Sequence, residues 1–427
     1  MALIEQRSDS AGPLQTLGLY LLLGWRNIWR HPRRSILTFT AISLGLLLFI
    51  LTRGIQFGTY EKIIEKAVRT NTGYIQIHKE GYREHHSFEY SIDDDDAVTK
   101  ALKEEPQVTL FSKRVTGEAL IASDRGTTGT AVIGVEKDVE FEITSLASRM
   151  KEGALPAESG DILIGERMAK NLKVKLGDEL ILIGSGADGS LGADRFYLKG
   201  IFATGVADFD SSIAIIGIED ADYLYSMGGS VTEIVVHLGD FSLAEETTER
   251  LRAALAGQGL EVNSWKELLP EMVQMITLDN IGGLVMLWFF FLIVVAVILN
   301  TILISTLERV KEYGIMMSLG LRPSRIFSMI ISEAALLILI GTLIGLMGAW
   351  WIGGYLEMHP FSLGESVSKS MEEQGFSPLI YTKMTAGIIL SWGAGLLAAS
   401  MVAAIYPALK VARLSPLKAL HPGRGEL

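Results

Sequence analysis

The chain contains no cysteine, which excludes disulfides, thiolate metal sites and a cysteine nucleophile. The dipeptide Gly-Lys is also absent, so a phosphate-binding loop of the G-x-x-x-x-G-K-[ST] type is excluded. There is no H-E-x-x-H zinc motif, and Gly184-Ser185-Gly186 lacks the strand–turn–helix setting of a nucleophile elbow. We therefore expect a chain that is not an enzyme, binds no cofactor or metal itself, and takes any ATP energy from a partner.

Charge is scarce and unevenly distributed along the chain. Only 20% of the 427 residues are charged, and the mean hydropathy is +0.32. Residues 54–280 hold 22 Lys+Arg and 39 Asp+Glu, a net charge of −17, whereas the remaining residues have a net charge of +6. An acidic block inside a basic, apolar frame excludes a disordered chain and a single soluble domain. It also predicts no nucleic-acid partner, because the acidic block repels phosphate.

Four stretches carry no charged residue and approach or exceed the length of about 20 residues that crosses a bilayer. They are residues 35–52, 280–307, 334–356 and 384–409. The first begins too far along the chain for a cleavable signal peptide, so we expect it to be a permanent anchor. The sequence thus predicts a membrane protein with an α-helical four-span transmembrane domain.

The distribution of lysine and arginine predicts the orientation of the spans. Five basic residues lie in residues 1–34, four in residues 308–325 and four in the tail 410–427. The loop 357–383 instead has two basic and four acidic residues. With four spans, all three basic segments fall on one side, so both termini are expected in the cytoplasm.

An amphipathic segment precedes the first span. Leu17, Leu21, Trp25 and Ile28 recur at helical spacing, with arginines nearby. This pattern predicts a helix that lies in the cytoplasmic headgroup region and ends at His31-Pro32. The alternative is a simple cytoplasmic extension of the first span.

The region between the first two spans has short strand-like runs mixed with helix-like runs, which predicts a large α+β extracytoplasmic domain. Strands are predicted at 74–77, 119–122, 131–135, 161–164, 179–183, 196–202, 213–216 and 233–237. The full predicted order is an N-terminal amphipathic helix 1–34, first span 35–57, extracytoplasmic domain 58–279, second span 280–307, cytoplasmic loop 308–325, third span 326–356, short extracytoplasmic loop 357–383, fourth span 384–409 and cytoplasmic tail 410–427.

Three polar features of the sequence are candidates for a functional site. His78, His85 and His86 fit no standard metal spacing, so a solvated loop is favoured. The acidic run 93–96 lacks the glycine and glutamate of a calcium loop, so a helix start is favoured. Glu333 is a candidate intramembrane acid, although it could equally face a basic neighbour near the interface.

The segment 308–325, ERVKEYGIMMSLGLRPSR, is the most informative short stretch. Its polar start leads into the apolar residues Ile315, Met316, Met317 and Leu319, which are followed by Gly320. Such an apolar patch below the membrane is typical of a docking site. The alternative is that it packs under the helices of the same chain.

This segment resembles the cytoplasmic loop of FtsX/MacB-type ABC transporter permeases. The tail YPALKVARLSPLKALHP and the start LGWRNIWRHPRRSILTFTAISLGLLL are similar to the ends of that family. In the outer region, GDILIGERMAKNLKVKLGDELILIG and GIFATGVADFDSSIAIIGIEDADYLY resemble the lipoprotein-releasing (Lol) permease branch most closely. The chain departs from the macrolide-exporter branch because it has no fused ATPase domain.

The resemblance implies the permease subunit of a bacterial inner-membrane ABC transporter that extracts lipoproteins by mechanotransmission. It implies two copies of an ABC ATPase subunit, which hold ATP and Mg, and a second permease chain, identical or different. The partners would be lipoprotein cargo, a periplasmic acceptor and membrane lipid. The loop residues that would couple to the ATPase are Glu308, Arg309, Glu312, Gly314, Met316, Leu319 and Gly320.

A cargo cleft is predicted between apolar stripes of the first two spans. The residues, each set at helical spacing, are Ile42, Leu46 and Phe49 on the first span, and Met286, Phe290 and Val294 on the second. Stripes that face each other across the permease pair would hold acyl chains. The same residues could instead face lipid or pack the bundle.

Two other functions remain open within the family. One is MacB-like efflux of a drug or peptide with a periplasmic adaptor. The other is an FtsX-like, non-transporting regulator of a cell-wall hydrolase, although the large outer region exceeds what a simple regulator needs.

Overall fold

The computed structural model describes residues 13–30, 32–362, 364–368 and 379–414. The chain divides into two compact units. The membrane unit comprises the residues up to Tyr60, Thr277–Phe361 and the residues from Ile380 onward, and the sheet unit comprises Glu61–Ile276 and Ser362–Leu379. Parts of the predicted N-terminal segment, of the loop 357–383 and of the tail lie outside the described residues.

Within the described residues, the helices are α1 (Pro13–Arg30), α2 (Pro32–Ala67), α3 (Tyr82–His85), α4 (Asp96–Glu104), α5 (Lys137–Ile143), α6 (Glu166–Leu172), α7 (Ala207–Ser212), α8 (Ile218–Tyr225), α9 (Ala244–Ala254), α10 (Trp265–Leu268), α11 (Pro270–Glu308), α12 (Val310–Ser318), α13 (Pro323–Met358) and α14 (Ala386–Ala412). The strands are β1 (Ile75–Lys79), β2 (Val108–Ser123), β3 (Gly126–Val135), β4 (Met150–Gly153), β5 (Asp161–Gly165), β6 (Glu179–Ser185), β7 (Leu191–Phe202), β8 (Ile213–Gly217), β9 (Glu233–Leu238) and β10 (Leu260–Ser264).

Four of the described helices are long and apolar enough to cross a membrane, which confirms the four predicted spans. They are α11, α13, α14 and α2, the last of which continues as a helix to Thr72. The helices α2 and α11 extend beyond the uncharged runs, because a charged residue outside the bilayer does not end a helix. Helix α1 ends at Arg30 and helix α2 begins at Pro32, whereas His31 of the predicted break lies outside the described residues.

The core of the membrane unit depends on close helix contacts at glycines. A Cβ atom added at Gly341 of α13 would lie 2.9 Å from Cβ of Ile42, and one added at Gly345 would lie 3.1 Å from Cβ of Leu46. Small residues at these positions let α2 and α13 approach closely, as is common between helices in membranes. The helix α14 packs on the same core through Ile389, Leu396 and Ala404.

The sheet unit contains a mixed sheet whose strands, among the described residues, follow the order β10-β1-β9-β2-β3-β8-β5-β7-β4, with β6 paired to β2 and β7. The pairs β3–β8 and β5–β7 are parallel, and the other pairs are antiparallel. Helices pack on this sheet, which confirms the predicted α+β class. All eight predicted strands are present, whereas β4 and β10 were not predicted. The reason is local: β4 is a mostly exposed edge strand, and β10 contains only two apolar residues, Leu260 and Val262.

Candidate functional site

The segment expected to be a cytoplasmic loop contains the nine-residue helix α12. The preceding helix α11 ends at Glu308, and Arg309 makes the turn between them. Gly320 ends α12 in a left-handed conformation with φ +97°. The N–H of Gly320 donates to the carbonyl of Met317, and that of Leu321 donates to the carbonyl of Met316. This pairing is a Schellman motif, which requires a residue tolerant of positive φ and explains the glycine.

The two faces of α12 have different environments. Its inner face is formed by Val310, Tyr313 and Met317, which are buried against α13 and α14. The outer face is the α12 ridge, which we define as Lys311, Ile315 and Leu319. Ile315 is 52% exposed and Leu319 is 63% exposed. Met317 therefore packs under the helices of the same chain, whereas docking at the exposed Ile315 and Leu319 stays a prediction.

The predicted coupling residues divide between these faces. Glu308, Leu319 and Gly320 are exposed, whereas Arg309 and Gly314 are buried. Glu312 and Met316 are intermediate, and Met316 packs against the inner cluster rather than projecting as a free knob. The ridge residues Lys311 and Ile315 were not among the predicted coupling residues, because the sequence does not say which side of α12 faces its own bundle.

A buried polar cluster links α12 to two other helices. Arg309, only 8% exposed, donates from Nη1 to Oε2 of Glu333 at 2.8 Å and from Nε to Oε2 of Glu312 at 3.2 Å. Its guanidinium also lies 5.3 Å from the ring centre of Tyr313. Asn27 of α1 donates to the same Oε2 of Glu333 at 3.1 Å. We call Arg309, Glu312, Glu333 and Asn27 the Arg309 cluster.

The Arg309 cluster resolves the question raised by Glu333. The acid faces a basic neighbour, Arg309, and therefore belongs to a paired group rather than to a proton path. A cavity of about 20 Å³, enough for a water molecule, adjoins the cluster and is also lined by Ser35 and Thr38. One side chain of α13 is thus tied both to the coupling segment and to the N-terminal helix.

The predicted stripe on the first span is wrong as a cleft lining. Ile42 and Leu46 are 0% exposed, and Phe49 is buried as well. Phe49 stacks on Trp392 of α14 at 5.6 Å between ring centres. These three residues pack the bundle of their own chain. The spacing shows only that they share a face, and the glycines of α13 decide that this face is internal.

The predicted stripe on the second span is mostly accessible. Met286 is 59% exposed and Phe290 is 47% exposed, whereas Val294 is partly buried. A Cβ atom added at Gly45 would lie 3.0 Å from Cγ1 of Val294, so this contact joins α2 and α11. Of the four spans, α11 is the least buried. The accessible side of α2 is a different stripe, formed by Leu37, Leu44 and Leu48.

Polar side chains join α2 and α11 near residues 53–60. Arg53 is buried and donates to Oδ1 of Asn280 at 3.0 Å and to Oε1 of Gln56 at 2.5 Å. Gln56 donates to the hydroxyl of Tyr60 at 2.6 Å, and this hydroxyl donates to Asp279. These partners hold the Arg53 side chain inside the membrane unit.

Two family profiles match the chain. Residues 35–254, just over half of the chain, match the MacB-like periplasmic core domain, and residues 284–416 match the FtsX-like permease C-terminal domain. The chain belongs to the MacB-like and FtsX-like permease family. The second match includes all of α12, α13 and α14, so the α12 ridge lies within the permease domain.

The permease is similar along most of its length to lipoprotein-releasing system transmembrane proteins. It is 24% identical to LolC of Xylella fastidiosa, over 94% of this chain and 98% of that protein. It is 22% identical to LolE of Haemophilus influenzae, over 92% and 97%. The macrolide export protein MacB of Psychrobacter arcticus is 21% identical over 91% of this chain, but only 57% of that protein is covered. These matches confirm the resemblance to FtsX/MacB-type permeases and to the Lol branch.

Among solved structures, the periplasmic region of MacB from Actinobacillus actinomycetemcomitans matches 48% of this chain and 94% of that chain. The TM-score is 0.34 and the sequence identity is 15%.

The sheet unit of the permease contains a second buried charge cluster. Arg114 of β2 is 1% exposed and binds both oxygens of Glu140, at 2.5 and 3.1 Å. It also donates to Glu233 of β9 at 3.3 Å and to the carbonyl of Asn71 at 2.7 Å. Nε2 of His78 lies 3.5 Å from the other oxygen of Glu233. His78 therefore faces a carboxylate inside the unit and does not lie in a solvated loop.

The electrostatic environment of this Arg114 cluster favours the charged forms of Arg114 and Glu233. Burial by itself raises the pKa of Glu233, but the hydrogen bond with His78 and the charge of Arg114 lower this pKa to about 2. Burial lowers the pKa of Arg114, but the charges of Glu140 and Glu233 raise it above the usual value. The cluster therefore joins β2, β9 and α5 around an Arg114–Glu233 pair that is charged at neutral pH.

Proposed function

We propose that this permease is the membrane subunit of a bacterial inner-membrane ABC transporter that extracts lipoproteins, driven by a separate ATPase subunit. Similarity to LolC and LolE along nearly the whole chain supports this function. The absence of a phosphate-binding loop in the sequence supports a separate ATPase. Two ATPase copies, holding ATP and Mg, and a second permease chain would complete the assembly, with both termini in the cytoplasm.

The observation that carries the coupling mechanism is the arrangement of α12. Its ridge offers two exposed apolar side chains beside Lys311, whereas its inner face is fixed to α13 and α14. Anchors of this kind dominate binding energy at protein interfaces. We place the ATPase on the α12 ridge. Because Arg309 binds Glu333 and Glu333 binds Asn27, displacement of α12 would move α13 and α1 together.

The exposed side of α11 is the surface best suited to acyl chains. It presents Met286, Phe289, Phe290 and Ile293, without a charged residue between them. Each buried methylene of a lipid anchor contributes about 0.8 kcal/mol, so extraction requires a replacement apolar surface as well as ATP work. Residues of α2 that line such a cleft would come from the Leu37, Leu44 and Leu48 stripe, in place of Ile42, Leu46 and Phe49.

The test is stimulation of the ATPase by cargo. The permease, reconstituted in liposomes with its ATPase, should hydrolyse ATP faster when the liposomes carry an acylated lipoprotein than when they carry its unacylated form. A Met286→Ala/Phe290→Ala variant should require about tenfold more lipoprotein, because two large apolar contacts are lost. Met347→Ala, a truncation of an exposed apolar side chain on α13, is the control.

Equal stimulation by both cargo forms would contradict lipoprotein extraction. Stimulation by a soluble peptide or macrolide instead would favour efflux of the MacB type, with a periplasmic adaptor. An absence of stimulation by any cargo, together with activation of a cell-wall hydrolase, would favour an FtsX-like regulator.

A further inference from the structure

A cleft of about 740 Å³ lies between the start of α2 and the end of α11. Its volume falls in the range of about 300–1,000 Å³ that is usual for small-molecule sites. Leu37 contributes to one wall, and Val297 and Ile304 contribute to the other. All three of these side chains are exposed. The cleft is therefore open, and its walls combine these apolar side chains with the polar Asn300 and Thr301.

The rim of the cleft carries two positive charges. Arg30 ends α1 and Arg33 follows the start of α2, so both guanidinium groups belong to one side of the opening. Both side chains are exposed. Trp25 and Trp29 lie just before them, also exposed, with ring centres 5.9 Å apart. Tryptophan is enriched at the level of lipid headgroups, which places this rim at the surface of the bilayer.

We propose that this cleft binds an anionic diacyl phospholipid. The phosphate would lie between Arg30 and Arg33, and an acyl chain would lie along Leu37, Val297 and Ile304. A basic rim above an apolar wall between membrane helices matches an amphiphile with a negative headgroup. Glu308 of α11 also lines the cleft.

The bound lipid would adjoin the coupling segment. Glu308 is the last residue of α11, and the next residue, Arg309, belongs to the Arg309 cluster. Occupancy of the cleft would therefore restrain Glu308, which lies just before the start of α12. This inference does not depend on the class of cargo. Only the assignment of the lipid to the cytoplasmic leaflet rests on the proposed topology.

The experiment uses the full-length permease in liposomes that contain a photoactivatable phosphatidylglycerol with a diazirine in one acyl chain. Cross-linked peptides are mapped by mass spectrometry and compared with those from the matched phosphatidylcholine. We expect phosphatidylglycerol to label the peptides that contain Leu37 and Val297–Ile304. Arg30→Gln and Arg33→Gln should each lower this labelling about fivefold. Arg26→Gln, an exposed arginine of α1 that does not line the cleft, should leave it unchanged.

A second variant separates the cleft from general surface charge. Val297→Trp narrows the cleft beside Ile304 and leaves both arginines intact, so labelling at Ile304 should fall. Equal labelling by the two lipids, or labelling that survives the loss of both arginines, would overturn the proposal. It would also be overturned if cysteines introduced at position 297 of two copies formed a disulfide and excluded the lipid, because a second chain would then occupy the cleft.

Discussion

Arg309 shows how a single residue can connect three helices of the membrane unit. Its guanidinium shares two carboxylates, Glu312 on α12 and Glu333 on α13, and Asn27 reaches Glu333 from α1. The two acids differ in burial: the side chain of Glu333 is 14% exposed and that of Glu312 is 43% exposed. Removing one partner of a buried ion pair is far more costly than removing an exposed one, because the remaining charge stays unpaired.

This difference predicts unequal effects of two isosteric changes. Glu333→Gln should destabilise the membrane unit by about 3–5 kcal/mol, as is typical of a broken buried pair. Glu312→Gln should cost less than about 1 kcal/mol. Thermal unfolding of the purified permease gives the first comparison, and lipoprotein released per ATP hydrolysed gives the second. Equal losses of stability in both variants would show that Glu333 contributes no more than Glu312 to the stabilisation of Arg309.

The Arg114 cluster predicts a dependence of stability on pH. The folded pKa of Glu233 is about 2, below the ordinary value of 4.5, so folding favours the ionised carboxylate. This contribution, about 3 kcal/mol, is fully present above pH 4.5 and is lost as the pH falls towards 2. Glu233→Gln should lose it at pH 7, and the difference from the wild type should shrink below pH 4.5.

Hydrogen exchange of β1, β2 and β9 in the full-length permease measures this effect, and comparison at equal pH removes the intrinsic exchange rate. Glu219→Gln, an exposed carboxylate outside the cluster, should match the wild type at every pH. A constant difference between Glu233→Gln and the wild type from pH 7 to pH 3 would contradict the assigned ionisation.

At the scale of whole elements, the two faces of the helix α12 have different environments. The inner face packs on the bundle, and the ridge, where we propose that the ATPase docks, is exposed. Met316 belongs partly to the inner side, so a charge there would disturb packing as well as docking. Ile315 and Leu319 are the cleaner positions for a test.

Ile315→Asp and Leu319→Asp should each weaken binding of the ATPase subunit by tenfold or more, because interface anchors contribute about 2 kcal/mol or more. Folding should be unchanged, since both side chains are exposed. Lys311→Ala is a control for a rim charge and should change affinity by less than about fivefold. The measurement is binding of the purified ATPase to the reconstituted permease. Wild-type affinity in both aspartate variants would remove the α12 ridge from the interface.

The elements also show which features the sequence can predict. Uncharged length predicts the spans, because the bilayer requires it, and alternation predicts the strands that have one buried face. The side of a helix that faces the bundle depends on its neighbours. Ile42 and Leu46 are internal because Gly341 and Gly345 let α13 approach them, and these glycines lie about 300 residues away in sequence.

The same reasoning explains the Arg309 cluster. Arg309, Glu333 and Asn27 lie on three helices, so no local pattern joins them. The order of the strands is equally non-local, since β1 lies between β9 and β10. The positions of the eight predicted strands along the sequence do not determine their order in the sheet.

At the scale of the whole molecule, the proposed topology places Arg30, Lys311 and Arg325 on the cytoplasmic side and the acidic residues 54–280 on the other. The natural absence of cysteine makes this directly testable, because a single introduced thiol is the only one in the chain. Lys311, Ser324, Glu179 and Ser366 are all exposed and are suitable positions.

In intact spheroplasts, a membrane-impermeant maleimide should label Glu179→Cys and Ser366→Cys. It should label Lys311→Cys and Ser324→Cys only after the membrane has been permeabilised. Labelling at position 311 before permeabilisation would contradict the proposed four-span topology. Leu343→Cys, an exposed position near the middle of the uncharged run of α13, is a control for reagent that enters the bilayer.

The length of α11 has a consequence for the bilayer itself. Its uncharged run of residues 280–307 lies within one unbroken helix, and at 1.5 Å per residue this run measures about 42 Å. The hydrocarbon layer is only about 30 Å thick. Such hydrophobic mismatch is relieved by tilting the helix or by thickening the surrounding lipid. The thickness of the host membrane therefore determines how far α11, the least buried of the four spans, tilts from the bilayer normal. The tilt in turn determines the direction in which the apolar side chains of α11 point.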